Sequence, residues 1–392
     1  MMGRWVYVVL VISLILSLRN PKRFDTQTIT DDELTHPSLS IFLQRSHFNI
    51  SQGHELRLEY DYYRDKCPDA EKIVRSKMAQ LYSQDKQVPA NLLRLFFHDC
   101  FIMGCDASVF LDDSNGNESH PIERQAIPSQ TLKGFDKINL IKEELEEACP
   151  GMVSCADALA LATRDGILLA GGPYYPVFTG RRDSIRSYFQ EATAEIPGPD
   201  DDLNKILHLF SLRGFSPRET VSLIGAHNIG KISCQFIRNR LYDFLGTGQP
   251  DPTMSDDFLV EMRVLCGDGN QTSLHGSPAP ASAPAPMRSS GMRESTLGMN
   301  YYQRLSTSIS SGAGFDAHYY QNLLRGRGLL HADQQLMAEE KTAKLVWAYA
   351  SDCGTAYRTD FARVMLKMSN LGVLSGSQGQ VRTNCSLSLN SS

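Results

Sequence analysis

Apolar positions recur at helical spacing along most of the chain and almost never at the alternate spacing of a half-buried strand. The period predicts helices over residues 70–82, 92–101, 135–149, 155–170, 201–212, 217–225 and 235–245, then over 317–324, 341–351 and 359–368. Short segments rich in Gly and Pro separate them without a repeat period, so the expected architecture is all-α with many loops. Three stretches break the pattern. Residues 5–18 form an apolar run between Arg4 and Arg19, too short for a bilayer span of roughly 20 residues and fitting the apolar part of a signal peptide. No small-x-small cleavage pattern follows Leu18, so residues 1–23 read as a signal peptide or, alternatively, an uncleaved signal anchor. Residues 24–55 are polar and aperiodic, a linker. Between Ser277 and Pro286 proline alternates with Ala and Ser, which excludes helix and core and marks an exposed insertion over about residues 267–302. The folded part is expected over 56–388, with 389–392 a tail.

The densest chemistry lies in residues 91–108. A helix starting near Ala90 places Arg94, Phe97 and His98 on one face of one turn, so a guanidinium and an imidazole point into the same space. That pairing suits heterolysis of a polar bond: the imidazole moves a proton while the permanent cation stabilises the departing oxygen. The following loop, pinched between Cys100 and Cys105, is rich in oxygen donors that suit a hard cation. A second histidine, His227, ends an apolar helix. Read alone, either histidine is more often a structural residue, and the cysteine pair a stapled turn.

Several motifs together resemble the secretory plant peroxidases, the class III haem peroxidases. They are residues 91–108, 153–157, 170–173, 180–184, 223–230 and 328–336, in that order along the chain. The resemblance implies a two-lobed all-α fold with haem b between distal and proximal lobes. It places Arg94, Phe97 and His98 at the haem, the first and last cleaving hydrogen peroxide. It makes His227 the axial iron ligand and Asp333 the acceptor of its other N–H. It implies a distal calcium held by Asp99, Ile102, Gly104, Asp106 and Ser108, with Glu123 linked through water. Pro197 would line the mouth where small phenolic reductants are oxidised by one-electron steps. The cysteines allow about 105 connectivities for eight of them. The resemblance selects Cys67–Cys149, Cys100–Cys105, Cys155–Cys385 and Cys234–Cys266, and Cys353 is left to read as a small buried hydrophobe.

The match has two chemical departures. At the proximal calcium site only Asn228, Ser308, Ser311 and Asp316 are found, and no carboxylate lies between Glu294 and Asp316, so that site should be weak or empty. The Asn that orients the distal imidazole in relatives is missing, and Ser129 or Gln130 would have to substitute.

Composition narrows the picture further. The chain has 392 residues, 42% of them apolar, enough for a substantial core. Its net charge of −5 argues against nucleic acid or an anionic membrane as partner. Sequons at Asn49, Asn117, Asn270, Asn384 and Asn390 agree with secretion, and the Ala-Pro and Ser-Pro repeats with cell-wall attachment of an otherwise monomeric protein. Two alternatives remain: a catalytically weak wall or surface protein on the same scaffold, and a calcium- or zinc-stabilised disulfide protein without haem.

Overall fold

The computed structural model describes residues 58–112, 121–267, 300–301 and 315–388. The signal segment, the linker, the Pro-rich stretch, Ser308, Ser311, the tail and the sequons other than Asn384 lie outside the described residues.

Two groups of helices share one continuous apolar core. The first comprises α1 (Ala70–Gln84), α2 (Val88–Ile102), α3 (Phe135–Ala148) and α4 (Cys155–Leu169), with α4 packed on the other three. Helix α4 reads CADALALATRDGILL; its alanines let neighbours approach closely and nearly every residue is buried. After α5 (Phe189–Glu195) comes the second group, α6 (Leu203–Ser211) and α7 (Pro217–Ile224). The chain continues through α8 (Arg238–Tyr242), α9 (Asp256–Cys266), α10 (His318–Leu323) and α11 (His331–Gln334). It closes with α12 (Glu340–Ser351) and α13 (Thr355–Ser369), which pack on α7. Ser216 and Glu219 form a reciprocal capping box at the start of α7, and the Asp202 carboxylate accepts from Lys205 N to cap α6.

A buried polar hub locks the first group. Asp157 in α4 accepts hydrogen bonds from Tyr63 OH (2.6 Å), Gly180 N (2.7 Å) and Arg181 Nη1 (2.7 Å). Asp183 receives the Ala156 N–H at the start of α4 (2.9 Å) and Arg382 N (2.9 Å), drawing the C-terminal segment onto that helix. Disulfides Cys67–Cys149, Cys100–Cys105, Cys155–Cys385 and Cys234–Cys266 add covalent ties, the third spanning 230 residues.

The structure corrects several expectations. The single helix expected over 235–245 is three pieces: α8 between short 3-10 turns at Cys234–Phe236 and Phe244–Gly246. Leu245 there takes a left-handed φ of 53°, and Asp243 Oδ1 accepts from Gly248 N, a turn that competes with helix. A helix opening the folded part at residues 62–68, which the resemblance also implies, is instead a series of turns up to Lys66. A two-residue antiparallel ladder, Ile232–Ser233 with Asn300–Tyr301, carries no period long enough to read. Cys353 is exposed rather than buried, at a φ of 57° where α12 gives way to α13.

Candidate functional site

Helix α2 begins at Val88, with Pro89 in its first turn where no backbone donor is missed. It carries Arg94, Phe97, His98 and Asp99. His98 is 4% exposed, and burial followed by the Arg94 charge pushes its pKa well below the usual imidazole range. Its Nδ1 lies 3.3 Å from Ser129 Oγ, in a 3-10 turn spanning Ile127–Ser129. Gln130, the other residue considered for that contact, turns away and donates to Gln125 O (3.1 Å). Arg94 donates from Nη2 to Pro128 O (2.8 Å), and burial brings its pKa down to about 10. One short turn thus positions both the cation and the base. Phe97 stacks on Phe101 at 4.7 Å and meets the His98 ring edge-on at 5.9 Å.

On the other side, a 3-10 turn at Gly225–Asn228 ends α7 and presents His227. Its Nδ1 lies 2.7 Å from Asp333 Oδ1 in α11. Asp333 is buried and also accepts from Tyr319 OH (2.9 Å, the same Oδ1) and Leu330 N (2.9 Å). Burial raises the Asp333 pKa, but the His227 charge and these donors outweigh it and hold the group as a carboxylate. Burial likewise lowers His227, and Asp333 reverses the sign, so the imidazole is made more basic. Half of the His227 side-chain surface is open even though protein surrounds it closely enough to dehydrate it. The ring face not held by Asp333 is therefore accessible. The Arg94 charge depresses His227 as it does His98, so one cation stands within electrostatic reach of both imidazoles.

After α2, Ala107 N donates to Asp99 Oδ2 (3.0 Å) and Ser108 N to Asp106 Oδ1 (3.0 Å), leaving Asp99 Oδ1 buried without a partner, while the Ser108 hydroxyl lies between Asp106 and Glu123. Glu123 accepts from Tyr188 N (3.0 Å) nearby. Burial, then the charges of Asp106 and Glu123, push Asp99 well above the carboxylate range. Burial lifts Asp106 to about 6 and Glu123 to about 8. Negative groups and an unpartnered oxygen crowded in a dry pocket are what a hard cation would relieve. Among the described residues no three His, Cys, Asp or Glu side chains stand together at ligating spacing, so such an ion would also need hydroxyl and backbone oxygens. Gly104 lets the loop close, because a Cβ there would lie 2.4 Å from Gly372 O. At the second expected site, Asn228 Nδ2 donates to Asp316 O (2.7 Å), while Asp316 Oδ1 accepts from His318 N (2.8 Å) and lies against the His318 ring. Pro197 is half-buried in the turn after α5, where Pro199 O accepts from Ala332 N (2.9 Å) beside Asp333.

A family model described as Peroxidase matches residues 74–352. The chain belongs to the peroxidase family. "Putative Peroxidase 48" of Arabidopsis thaliana is 44% identical over 92% of this chain and 87% of its own length. Peroxidase 22 and Peroxidase 23 of the same plant are 36% and 37% identical, each over 88% of this chain and 89% of their own. This peroxidase is therefore a plant secretory-type haem peroxidase, an oxidoreductase acting on hydrogen peroxide and a reductant. Haem fits the residues present: a half-exposed imidazole, His227, with its Nδ1 already engaged by Asp333, and on α2 a cation and a base one helical turn apart, Arg94 and His98. Sequence reasoning left Ser129 undecided and missed Tyr319 as a second donor to Asp333; neither has a local sequence signal.

Proposed function

We propose that this peroxidase reduces hydrogen peroxide with His98 and Arg94 and oxidises small phenolic donors one electron at a time, with haem b carried on His227. When bound, haem would supply the redox chemistry. His98 Nε2 takes the proton of hydrogen peroxide and returns it to the departing oxygen; its depressed pKa keeps that nitrogen free as a base. Arg94, fixed by Pro128 O, stabilises the negative charge that develops on that oxygen. Ser129 holds Nδ1 and with it the orientation of the ring. Asp333 holds His227 Nδ1, leaving Nε2 for the iron. The single observation that carries this reading is the pair of differently held imidazoles: His227 Nδ1 is locked to Asp333 Oδ1 at 2.7 Å, while His98, one helical turn from Arg94, is held only through Nδ1 by Ser129. The rival zinc protein is disfavoured because Cys100 and Cys105 are joined and cannot act as thiolates.

The test is the absorption spectrum of the haem-loaded protein beside His227→Ala. The variant should lose the wild-type ligation spectrum and regain it with added imidazole; an unchanged spectrum would overturn the assignment of His227.

The reading extends to one calcium, at Asp99, Asp106 and Ser108 with backbone oxygens of Ile102 and Gly104, and Glu123 behind them. At the second site Asp316 already faces His318, and Asn228 turns its amide nitrogen to Asp316 O. Elemental analysis after exhaustive dialysis should find one calcium per chain, and two would show the proximal assignment wrong. The apolar run at residues 5–18 and the disulfides support an extracellular protein. Among the described residues no helix is long and apolar enough to cross a membrane. Wall association through the Ala-Pro and Ser-Pro repeats and a monomeric state complete the reading.

A further inference from the structure

A file of tyrosines leads away from the His227 side of the site. The His227 and Tyr319 rings stand 6.5 Å apart, Tyr319 and Tyr320 5.0 Å, and Tyr320 and Tyr349 5.0 Å, all edge to face. The file ends at Asp360: Tyr349 OH donates to Asp360 Oδ2 at 2.6 Å, and the same oxygen accepts from Arg218 Nε at 2.7 Å. The Arg218 side chain is 59% exposed, so Tyr349 lies one ion pair beneath the surface. We infer that Tyr319, Tyr320 and Tyr349 form an electron relay from the His227 side of the site to the Arg218–Asp360 surface, where donors too large to enter the site are oxidised. The inference rests on the assignment of His227 as the haem ligand.

The hydroxyl partners decide where an oxidising equivalent comes to rest. A phenol that loses an electron becomes strongly acidic, and a neutral radical survives only where a base takes the proton. Tyr320 OH faces Val221 O (3.0 Å), and Tyr357, a branch 5.0 Å from Tyr320, faces Gly225 O (2.9 Å). A carbonyl cannot hold a proton, so neither ring is a resting place. Tyr319 OH does face a carboxylate, but Asp333 Oδ1 is already bound to His227. Tyr349 alone in the file has a carboxylate not shared with the site.

The step balances. Tyr349 yields one electron inward through Tyr320 and Tyr319 to an oxidising equivalent left by peroxide reduction, and its proton passes to Asp360 Oδ2. A phenoxyl radical and a neutral carboxylic acid remain. A donor at the surface returns one electron and Asp360 returns the proton, which restores both side chains and leaves the donor oxidised by one electron.

Haem-loaded protein is mixed with one equivalent of peroxide and a nitroso spin trap, and the adduct is located by mass spectrometry. The wild type should carry the adduct on Tyr349, with a tyrosyl signal by electron paramagnetic resonance. Tyr349→Phe should lose that adduct and oxidise ferrocytochrome c about tenfold more slowly, while guaiacol oxidation stays within about twofold. Asp360→Asn, which keeps the ring and removes the proton acceptor, should do the same. An unchanged ferrocytochrome c rate in Tyr349→Phe, or a parallel fall with guaiacol, would overturn the relay. A protein that shows the peroxide-induced absorption change but no Tyr349 adduct sinks the relay alone. Absence of that absorption change sinks the His227 assignment, and the relay with it.

Discussion

Replacing His98 by alanine is expected to slow the reaction with hydrogen peroxide by about a thousandfold, the middle of what a positioned acid–base group contributes. In the proposed mechanism His98 is the base: its Nδ1 meets Ser129, and burial with the Arg94 charge keeps the ring neutral. The substitution leaves Arg94 on Pro128 O and His227 on Asp333, so ligand binding and fold should survive while proton transfer is lost. Stopped-flow absorption at varied peroxide gives the second-order rate, and a fall smaller than about fivefold would remove His98 from the mechanism. In the wild type the same rate should be flat through neutral pH and decline only in acid. The imidazole is a base only when unprotonated, and its folded pKa lies below the ordinary value, so activity is lost as pH falls through that lowered pKa.

Asp157→Ala should cost about 3–5 kcal/mol of stability, the range for removing one partner of a buried ion pair. Asp157 and Arg181 are both fully buried, 2.7 Å apart. Burial raises the Asp157 pKa, and the Arg181 charge opposes it. Without the carboxylate, Arg181 keeps Ser369 O and Phe178 O but has no counter-charge, and Tyr63 OH and Gly180 N lose their acceptor. Guanidinium unfolding of oxidised protein at fixed calcium measures the loss, and a shift below about 1 kcal/mol would show the hub is not a stability element. The effect should reach the site only indirectly, through α4 and the α2 that packs on it.

The same elements show what could be read without coordinates. Helices α1, α3 and α7 were legible because each sets an apolar stripe against the core, and α4 because its long apolar run starts on the Ser154 cap; α7 also begins on the Ser216 cap with Pro217. Helices α5 and α11 are too short to display a period, and the break around Leu245 depends on turn chemistry that outweighs it. Within the site, Arg94 and His98 announce their shared face because one helical turn separates them. The choice between Ser129 and Gln130 could not be made, since adjacent residues of a loop point in different directions according to how the turn packs.

By itself, then, the sequence determined the helical class and the Arg94–His98 pair, which follow from the 3.6-residue period, and the oxygen-rich loop after α2, whose donors are close neighbours in the chain. Only the tertiary structure decided that Ser129 serves His98, that Tyr319 is a second donor to Asp333, and that tyrosines from α10 and α12 line up between His227 and Asp360, whereas the contact of Asp333 with His227, 106 positions away, was expected from the resemblance alone. Such meetings are made when helix faces pack, and no local pattern encodes which faces will meet.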